Sequence, residues 1–286
     1  MVELKSPTTY EEQLELLKSR GIFVSDEEFC KQKLAEINYY RFTAYFLPFR
    51  TPDGSYKKGT SFQRVYRIYE LDRKLRKLIF SAVEEVEIFL RAQLAYFHAH
   101  TYGAEGYRDP NNFSRKHDPV KFQENMKREI NSNRKALFVR HHIEQYEEHF
   151  PIWVIVELFT FGMLSRFYDD LITKDKKVLA RELYNTTPQN ISSWLRCVTD
   201  LRNICAHYGR LYYRIFSAHP AYFKISEAAK CRLWGAILSL RALYPDAEKW
   251  NNEVLTALQA LFEEYKEDID LYHIAFPDDW AKQLRK

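Results

Sequence analysis

The chain has 286 residues, of which 29% are charged, and its formal net charge of +4 is too small to require a polyanionic partner. Its 8 glycines and 10 prolines are few, which favours an all-α helical bundle over an architecture of strands and turns. The four cysteines show no C-x-x-C spacing, so we expect reduced thiols and a cytoplasmic location.

Neither a secretory signal nor a membrane span is expected. Glu3 and Lys5 interrupt any apolar start of the chain. The most hydrophobic run, residues 152–164, contains Glu157 and has only 13 residues, whereas a transmembrane helix needs about 20. This run is therefore predicted to form a buried helix.

Helical patterns follow one another along most of the chain. Residues 8–20 and 26–38 are predicted to form an antiparallel pair, with Gly21 ending the first helix and Ser25 capping the second. After a turn at Pro52-Asp-Gly54, one helix is predicted over about residues 61–100, and its length requires several partner helices. Further helices are predicted over residues 119–150, 151–171 and 175–183, in a motif helix after a break at 186–190, and over residues 226–243, 246–266 and 278–285.

The domain organisation follows from these elements. Residues 1–60 are predicted to form an N-terminal helical cap, and residues 61–286 a larger helical domain. No strong linker, internal repeat or low-complexity tract separates the two parts. One continuous domain therefore stays open as the alternative.

Residues 201–214 combine positive charge with aromatic rings. From residue 201 to residue 226 there is no Asp or Glu, while cations and aromatic side chains alternate. The cations are Arg202, Arg210, Arg214 and Lys224, and the aromatic residues are Tyr208, Tyr212, Tyr213, Phe216, Tyr222 and Phe223. Such interleaving is typical of single-stranded nucleic-acid binding, where cations contact phosphates and rings stack on bases. This segment is therefore the predicted functional one.

Helical spacing places the polar side chains of this segment in one row that faces away from the apolar residues. The row contains Arg196, Asp200, Asn203, His207, Arg210 and Arg214. Asn203 and His207 are four residues apart, so the amide can reach the imidazole and orient it. Arg202 lies about 100° to the side and is long enough to reach the row. Gly209 is a candidate helix end, and a solvated helix face with a chance histidine is the alternative interpretation.

The string Arg202-Asn-Ile-Cys-Ala-His207 resembles the signature of the HEPN ribonuclease superfamily, an Arg and a His separated by four to six residues. Residues 201–214 look like the motif of the bacterial abortive-infection proteins of the AbiD/AbiF type. The chain departs from that pattern at Tyr208-Gly209 and Tyr213, where relatives often carry other polar residues. Further blocks resemble the family in order and spacing over roughly residues 10–215, and they start at Arg20, Ile37, Tyr69, Val86, Trp153, Phe161 and Ser193.

This resemblance implies an all-α, HEPN-type helical bundle with an N-terminal helical extension and extra C-terminal helices. It implies a metal-independent endoribonuclease without a cofactor, which acts as a toxin in abortive-infection phage defence. An antitoxin, of protein or RNA, or a phage trigger would control the activity. The expected substrate is RNA.

The site residues expected from the motif and the resemblance fall into two groups. His207 is the general base or acid, because an imidazole gains and loses a proton near neutral pH. Arg202 binds the scissile phosphate, and Asn203 orients His207 or contacts the phosphate. The residues expected to bind RNA are Arg210, Arg214 and Tyr208.

A homodimer is the expected assembly. One imidazole cannot easily serve as both base and acid in a single step. The chain has one Arg–His motif, and relatives pair two HEPN domains across a shared cleft. The resemblance therefore implies a symmetric dimer with a composite active site.

Two other classes of protein stay open. The fold can serve as a non-catalytic RNA- or protein-binding helical module that docks through the face of Arg202 and His207. This alternative predicts RNA binding without turnover. The chain can also be a metal-dependent or nucleotide-modifying enzyme in which His207 is a ligand or an acceptor, and a chelator would then abolish activity.

Other catalytic motifs find little support. The chain has no G-x-x-x-x-G-K-[ST], G-x-G-x-x-G or G-x-S-x-G motif. His98, His100 and residues 141–142 lack a nearby cysteine pair or an H-E-x-x-H frame, so surface histidines are favoured and no metal site is expected. Glu87 and Arg91 are predicted to form an i, i+4 ion pair, and either one is a candidate to brace the site.

Overall fold

The computed structural model describes residues 6–286, so Glu3 and Lys5, on which the expected absence of a secretory signal rests, lie outside it. Most of the described residues are helical and none forms a β-strand beyond isolated bridges, which confirms the all-α class. Within the same residues, no helix combines the length and the apolar character that crossing a membrane requires.

One helix, α4, is more than twice as long as any other helix in the described part of the chain. In chain order the α-helices are α1 (Tyr10–Ser19), α2 (Glu27–Glu36), α3 (Tyr39–Thr43), α4 (Phe62–Tyr102), α5 (Pro119–Ser132), α6 (Leu137–Gln145), α7 (Ile152–Ile155), α8 (Phe161–Asp170), α9 (Thr173–Tyr184), α10 (Pro188–Ala206), α11 (Glu227–Lys230), α12 (Leu233–Leu243), α13 (Ala247–Lys249), α14 (Thr256–Glu264) and α15 (Trp280–Leu284). Short 3₁₀ turns cover Ala44–Phe49, Gly106–Arg108, Pro110–Asn112, Val156–Leu158 and Leu271–Ile274, and a π-helical segment covers Trp250–Leu255.

The long helix α4 is confirmed close to its predicted bounds. The hydroxyl of Ser61 caps it by accepting the backbone N–H of Arg64 at 3.2 Å, and Gly103 follows its last residue with a φ of 82°. The apolar stripe of α4 is buried at Ile68, Leu71, Leu75, Ala82, Val86 and Leu94, and half-buried at Leu78, Phe89 and Phe97. Helices α7, α8, α10, α12 and α14 all contact α4, which is therefore the spine of the bundle.

The motif helix α10 packs between α4, α8 and α12. Thr187 caps it and Pro188 occupies its first turn, where the missing N–H of proline costs nothing. Trp194 is buried, and its ring stacks on Phe223 with the ring centroids 5.5 Å apart. Cys197 and Cys205 are buried free thiols, and burial raises their pKa values to about 11 and about 12.

The N-terminal segment packs on α4 through aromatic rings. Phe42 lies 5.0 Å from Phe62 between ring centroids, and Tyr45 lies 5.4 Å from Tyr69. The buried residues of this segment and those of the rest of the chain belong to one hydrophobic cluster. The proposed division of the chain at residue 60 stays a prediction.

Several predicted helices are broken by local capping. Asp26, rather than Ser25, caps α2, because its carboxylate accepts the backbone N–H of Phe29 at 2.9 Å. Residues 152–164 are largely buried but form α7, a 3₁₀ turn and the start of α8, since Thr160 caps α8. The helical regions predicted over 119–150, 151–171 and 226–243 are therefore each divided. The helix predicted over 246–266 is continuous from Ala247 to Glu264, with a π-helical segment at Trp250–Leu255.

The structure corrects the interpretation of His98 as a surface histidine. The ring is fully buried between Phe113 and Phe167, at centroid distances of 5.5 and 5.2 Å, and neither ring nitrogen has a hydrogen-bond partner among residues 6–286. His100, two residues later, is exposed. Burial lowers the pKa of His98 to about 4.

This burial predicts an acid-sensitive fold. In the unfolded chain a histidine takes up a proton below about pH 6.5, whereas folded His98 does so only near pH 4. The folded state therefore loses stability as the pH falls through this window, by about 1.4 kcal/mol per pH unit. Between about pH 6.5 and pH 5 the loss is about 2 kcal/mol.

The measurement is urea unfolding of three proteins at about pH 7 and about pH 5. We expect His98→Phe to reduce the loss of stability between these pH values, because phenylalanine fits an aromatic site and does not titrate. His100→Phe, at an exposed position of the same helix, is the control and should behave like the wild type. An equal loss in His98→Phe and the wild type would contradict this account.

Candidate functional site

The motif helix α10 ends directly before His207, which occupies the C-cap position. The backbone N–H of His207 donates to the carbonyl of Asn203 at 3.0 Å, and both residues are exposed. The bond that joins them is thus a backbone bond. The expected contact between the amide and the imidazole side chains stays a prediction.

The predicted polar row is wrong beyond Ala206, because the helix ends there. Arg210 and Arg214 lie in the loop that follows, and both are half-buried. The backbone turns sharply at Tyr208, which has a left-handed φ of 57°. The N–H of the next residue, Gly209, donates back into the last helical turn, so the candidate helix end was placed three residues late.

Gly209 is required by close packing in this turn. Its N–H donates to the carbonyl of Ile204 at 2.7 Å, and a β-carbon on Gly209 would lie 2.9 Å from the Ile204 side chain. The tight turn leaves the ring of Tyr208 70% exposed beside His207. An imidazole and a phenol are therefore presented to solvent together.

A buried carboxylate holds the loop after this turn. Asp72 of α4 has no exposed surface, and it accepts the backbone N–H groups of Leu211 at 3.1 Å and Tyr212 at 2.8 Å. It also accepts the hydroxyl of Tyr45 at 2.7 Å and pairs with the guanidinium of Arg76. Burial raises the pKa of Asp72, while Arg76, Tyr45 and the two backbone N–H groups oppose that change. The site loop is thus fixed to α4 and to the N-terminal segment at one point.

Two further arginines connect the site loop to the N-terminal segment. Arg210 donates to the carbonyl of Ala44, and Arg41 donates to the carbonyl of Tyr208. Burial lowers the pKa of Arg210. One nitrogen of Arg210 is therefore already committed within the chain, and its expected contact with RNA has to use the others.

The aromatic residues of this segment divide by exposure. Tyr212 and Phe216 are buried, and the hydroxyl of Tyr212 is hydrogen-bonded to His273 at 2.8 Å. These two rings are core residues and cannot stack on bases. Tyr208 and Tyr222 are 70% and 67% exposed, so they are the rings of this segment that present the most surface to a ligand.

Arg202 is held at the surface of α4 by one carboxylate and one ring. Its Nε lies 3.9 Å from Glu87 Oε2, and its guanidinium carbon lies 5.7 Å from the ring centre of Phe80. The Nε atom is buried and has no hydrogen-bond partner in the described residues. The guanidinium is therefore held in place although its Nε–H group has no hydrogen-bond acceptor within the described residues.

Glu87 is shared between two arginines. Its Oε1 accepts from Arg91 at 2.6 Å, and Arg91 also donates to the carbonyls of Val156 at 3.3 Å and Phe159 at 2.7 Å. The predicted i, i+4 pair is thus present, and it joins α4 to the segment between α7 and α8.

The cluster of Glu87, Arg91 and Arg202 carries one more positive than negative charge. All three side chains are at most 29% exposed, so solvent screens this excess only in part. An anion beside Arg202 would balance it.

A cleft of about 730 Å³ opens beside the end of α10. Tyr69, Phe80 and Tyr208 line it together with Cys205 and Ala206 of the motif. Its volume lies in the range of small-molecule sites, and its rings are suited to a flat aromatic group such as a nucleobase. Residues 6–286 contain no group of three or more His, Cys, Asp or Glu side chains placed to hold a metal ion.

The chain matches the model of the Abi-like protein family over residues 32–213, which is more than half of its length. It therefore belongs to the Abi-like protein family, which confirms the resemblance to abortive-infection proteins and supports a role in abortive infection. The matched residues include Glu87, Arg202 and His207 and stop before α11. Comparisons with curated proteins and with solved structures gave no match.

Sequence reasoning did not identify Asp72, Arg76 and Tyr45 as site-supporting residues. A signal was present, because Asp72 and Arg76 are an i, i+4 acid–base pair within the apolar stripe of α4. Two charges on the buried side of a helix require mutual pairing.

Removing the Asp72 carboxylate should strongly destabilise the protein. Asp72→Ala leaves the Arg76 charge and two backbone N–H groups buried without their partner, so we expect a loss of about 3–5 kcal/mol in the free energy of unfolding. Urea unfolding followed by circular dichroism measures this loss. Asp278→Ala, at an exposed aspartate, is the control and should stay within about 0.5 kcal/mol of the wild type. Similar midpoints for both variants would show that other contacts hold the loop.

Proposed function

We propose that this protein is a metal-independent endoribonuclease of the HEPN type, acting in the cytoplasm as a toxin of abortive infection and restrained by an antitoxin or released by a phage trigger. The observation that carries the proposal is the arrangement at the C-terminal end of α10. The guanidinium of Arg202 has only a 3.9 Å contact with Glu87, and the exposed His207 follows five residues later, directly after the helix. A group that can bind phosphate and a group that can transfer a proton thus lie near the same end of α10.

In the proposed reaction the ribose 2′-oxygen attacks the adjacent phosphorus. The 2′-O–P bond forms as the P–O5′ bond breaks, which leaves a 2′,3′-cyclic phosphate and a 5′-hydroxyl. His207 takes the 2′-hydroxyl proton, or gives a proton to the leaving 5′-oxygen. Arg202 stabilises the charge that develops on the phosphate oxygens. Asn203 contacts the same phosphate or orients His207.

RNA contacts are proposed on both sides of the catalytic pair. Tyr208 lines the aromatic cleft, so its ring supplies a stacking surface for a base next to the cleaved bond. Arg214 is half-buried, and its guanidinium is proposed to supply a further phosphate contact through its accessible nitrogens. Arg210 contributes through the donors that Ala44 leaves unused.

The second proton-transfer group is proposed to come from a second copy of the chain. Ile88 and Trp153 are 57% and 54% exposed, and they line a shallow apolar groove that also includes Arg91. Exposed large apolar side chains of this kind mark protein interfaces. A symmetric partner on this face would lie next to Glu87 and Arg202, which is where a composite site needs it.

The first test is cleavage of labelled RNA in the presence of EDTA. We expect products that end in a 2′,3′-cyclic phosphate or a 3′-phosphate, while DNA of the same sequence stays intact because it lacks the 2′-hydroxyl. Arg202→Ala and His207→Ala should each abolish cleavage, with a fold unchanged by circular dichroism. Loss of activity on chelation and its return with Mg²⁺ or Mn²⁺ would overturn the mechanism.

Matched control variants separate the site from the surface around it. Arg196→Ala removes an exposed arginine of α10. His219→Ala removes an exposed histidine of residues 201–226, the segment that contains no Asp or Glu. Both should cleave RNA at the wild-type rate. RNA binding without turnover in the wild type would instead indicate a non-catalytic binding module.

The composite site is tested by mixing wild-type protein with an inactive variant. Excess Arg202→Ala/His207→Ala double mutant should suppress wild-type activity, because heterodimers contain only one complete Arg–His set. Subunit exchange is first verified by co-purification of differently tagged chains. Full specific activity of a protein that sediments as a monomer at nanomolar concentration would contradict the composite site.

A further inference from the structure

A second cleft, between α5 and α8, is lined by more cations than carboxylates. It has a volume of about 550 Å³, and Lys116, Lys121, Arg128 and Arg166 line it. All four side chains belong to exposed residues, and none forms an ion pair with a carboxylate of residues 6–286. Four unpaired cations around a concave surface concentrate positive potential there.

Two of the three carboxylates in this cleft have partners within the chain. Asp118 caps α5 by accepting the backbone N–H of Lys121 at 3.0 Å. Asp170 is buried and pairs with His117 Nδ1 at 3.0 Å. Glu129 is the third lining carboxylate, so the four cations outnumber the acids even when all three are counted.

The cleft is connected to the candidate active site by direct contacts. Thr160 lines the cleft, and the residue before it, Phe159, accepts the guanidinium of Arg91 at 2.7 Å. Arg91 in turn holds Glu87, the partner of Arg202.

A second contact leads to the motif helix. Gly162 lines the cleft, and a β-carbon on it would lie 3.8 Å from the methyl carbon of Thr199. Thr199 is one turn before Asn203 on the same face of α10. The helix α8, which forms part of the cleft, therefore packs on α10, the helix that carries Arg202.

We propose that the α5–α8 cleft binds the phosphate backbone of single-stranded RNA and guides the strand towards Arg202. The cleft presents cations from two segments of the chain, and a positively charged groove that follows the phosphate backbone is typical of single-strand binding sites. Lys121 and Arg128 are seven residues apart on α5, and Arg166 faces them from α8, so successive phosphates meet charges from both walls. This inference rests on the proposed function for the identity of the strand.

The test uses a fluorescein-labelled 2′-O-methyl RNA of about 20 nucleotides, which has no free 2′-hydroxyl and reports binding alone. Fluorescence anisotropy is measured in EDTA over a range of salt concentrations. Each phosphate contact with a single strand contributes about 0.7 to the magnitude of the slope of log K against log salt. Arg128→Gln/Arg166→Gln removes two such contacts, so the magnitude of its slope should be smaller by about 1.4. Binding should weaken about tenfold near 0.1 M salt.

Lys58→Gln/Lys282→Gln is the matched control, because it removes the same charge at exposed positions outside the cleft. It should keep the wild-type slope. Lys116→Gln/Lys121→Gln is a second cleft variant and should repeat the loss.

The outcomes separate this inference from the proposed function. Weaker probe binding in both cleft variants supports the cleft even if unmodified RNA is never cleaved. Cleavage of RNA with an unchanged slope in the cleft variants overturns the cleft alone. Displacement of the probe by oligoglutamate at the concentration that unlabelled RNA requires would also overturn it, because the cleft would then bind any polyanion.

Discussion

The fully buried Asp72 carboxylate is the interaction on which the site depends. It is satisfied by Arg76 from its own helix, Tyr45 from the N-terminal segment, and two backbone N–H groups of the loop after the motif. A buried charge is tolerated only when such partners are all present, so the three segments must come together in one arrangement. The network therefore fixes where the chain leaves α10, and with it the position of His207.

A second carboxylate has a different role. Glu87 is bonded to Arg91 at 2.6 Å but lies 3.9 Å from Arg202. Arg91 donates hydrogen bonds to Glu87 and to backbone carbonyls, so it joins α4 to the segment between α7 and α8. Arg202 receives only the longer contact and a ring, so its charge is oriented while its capacity for a ligand is retained. The same acid thus contacts one arginine that joins two segments of the chain and one arginine whose donors are not all used.

Local patterns predicted the helical class, the long α4 and the buried face of α10, because helical periodicity reports which residues face a core. They also singled out Arg202 and His207, whose catalytic roles stay a proposal. Local patterns failed where contacts between distant parts of the chain determine the local structure or the burial of a residue. The end of α10 before His207 depends on the turn at Gly209, and the engagement of Arg210 depends on Ala44, some 166 residues away. The burial of His98 depends on rings from two other segments.

Because α4 is one uninterrupted helix, it fixes the directions of residues that lie far apart along it relative to each other. Asp72 and Glu87 lie on this one helix, fifteen residues apart. No break in the helix allows either residue to adjust independently, so both reach α10 and its loop in a fixed register. A single residue inserted between them would turn one end of the helix by about 100° relative to the other and shift it by about 1.5 Å. The anchor of the loop and the support of Arg202 would then point to different sides, with every other residue of the site unchanged.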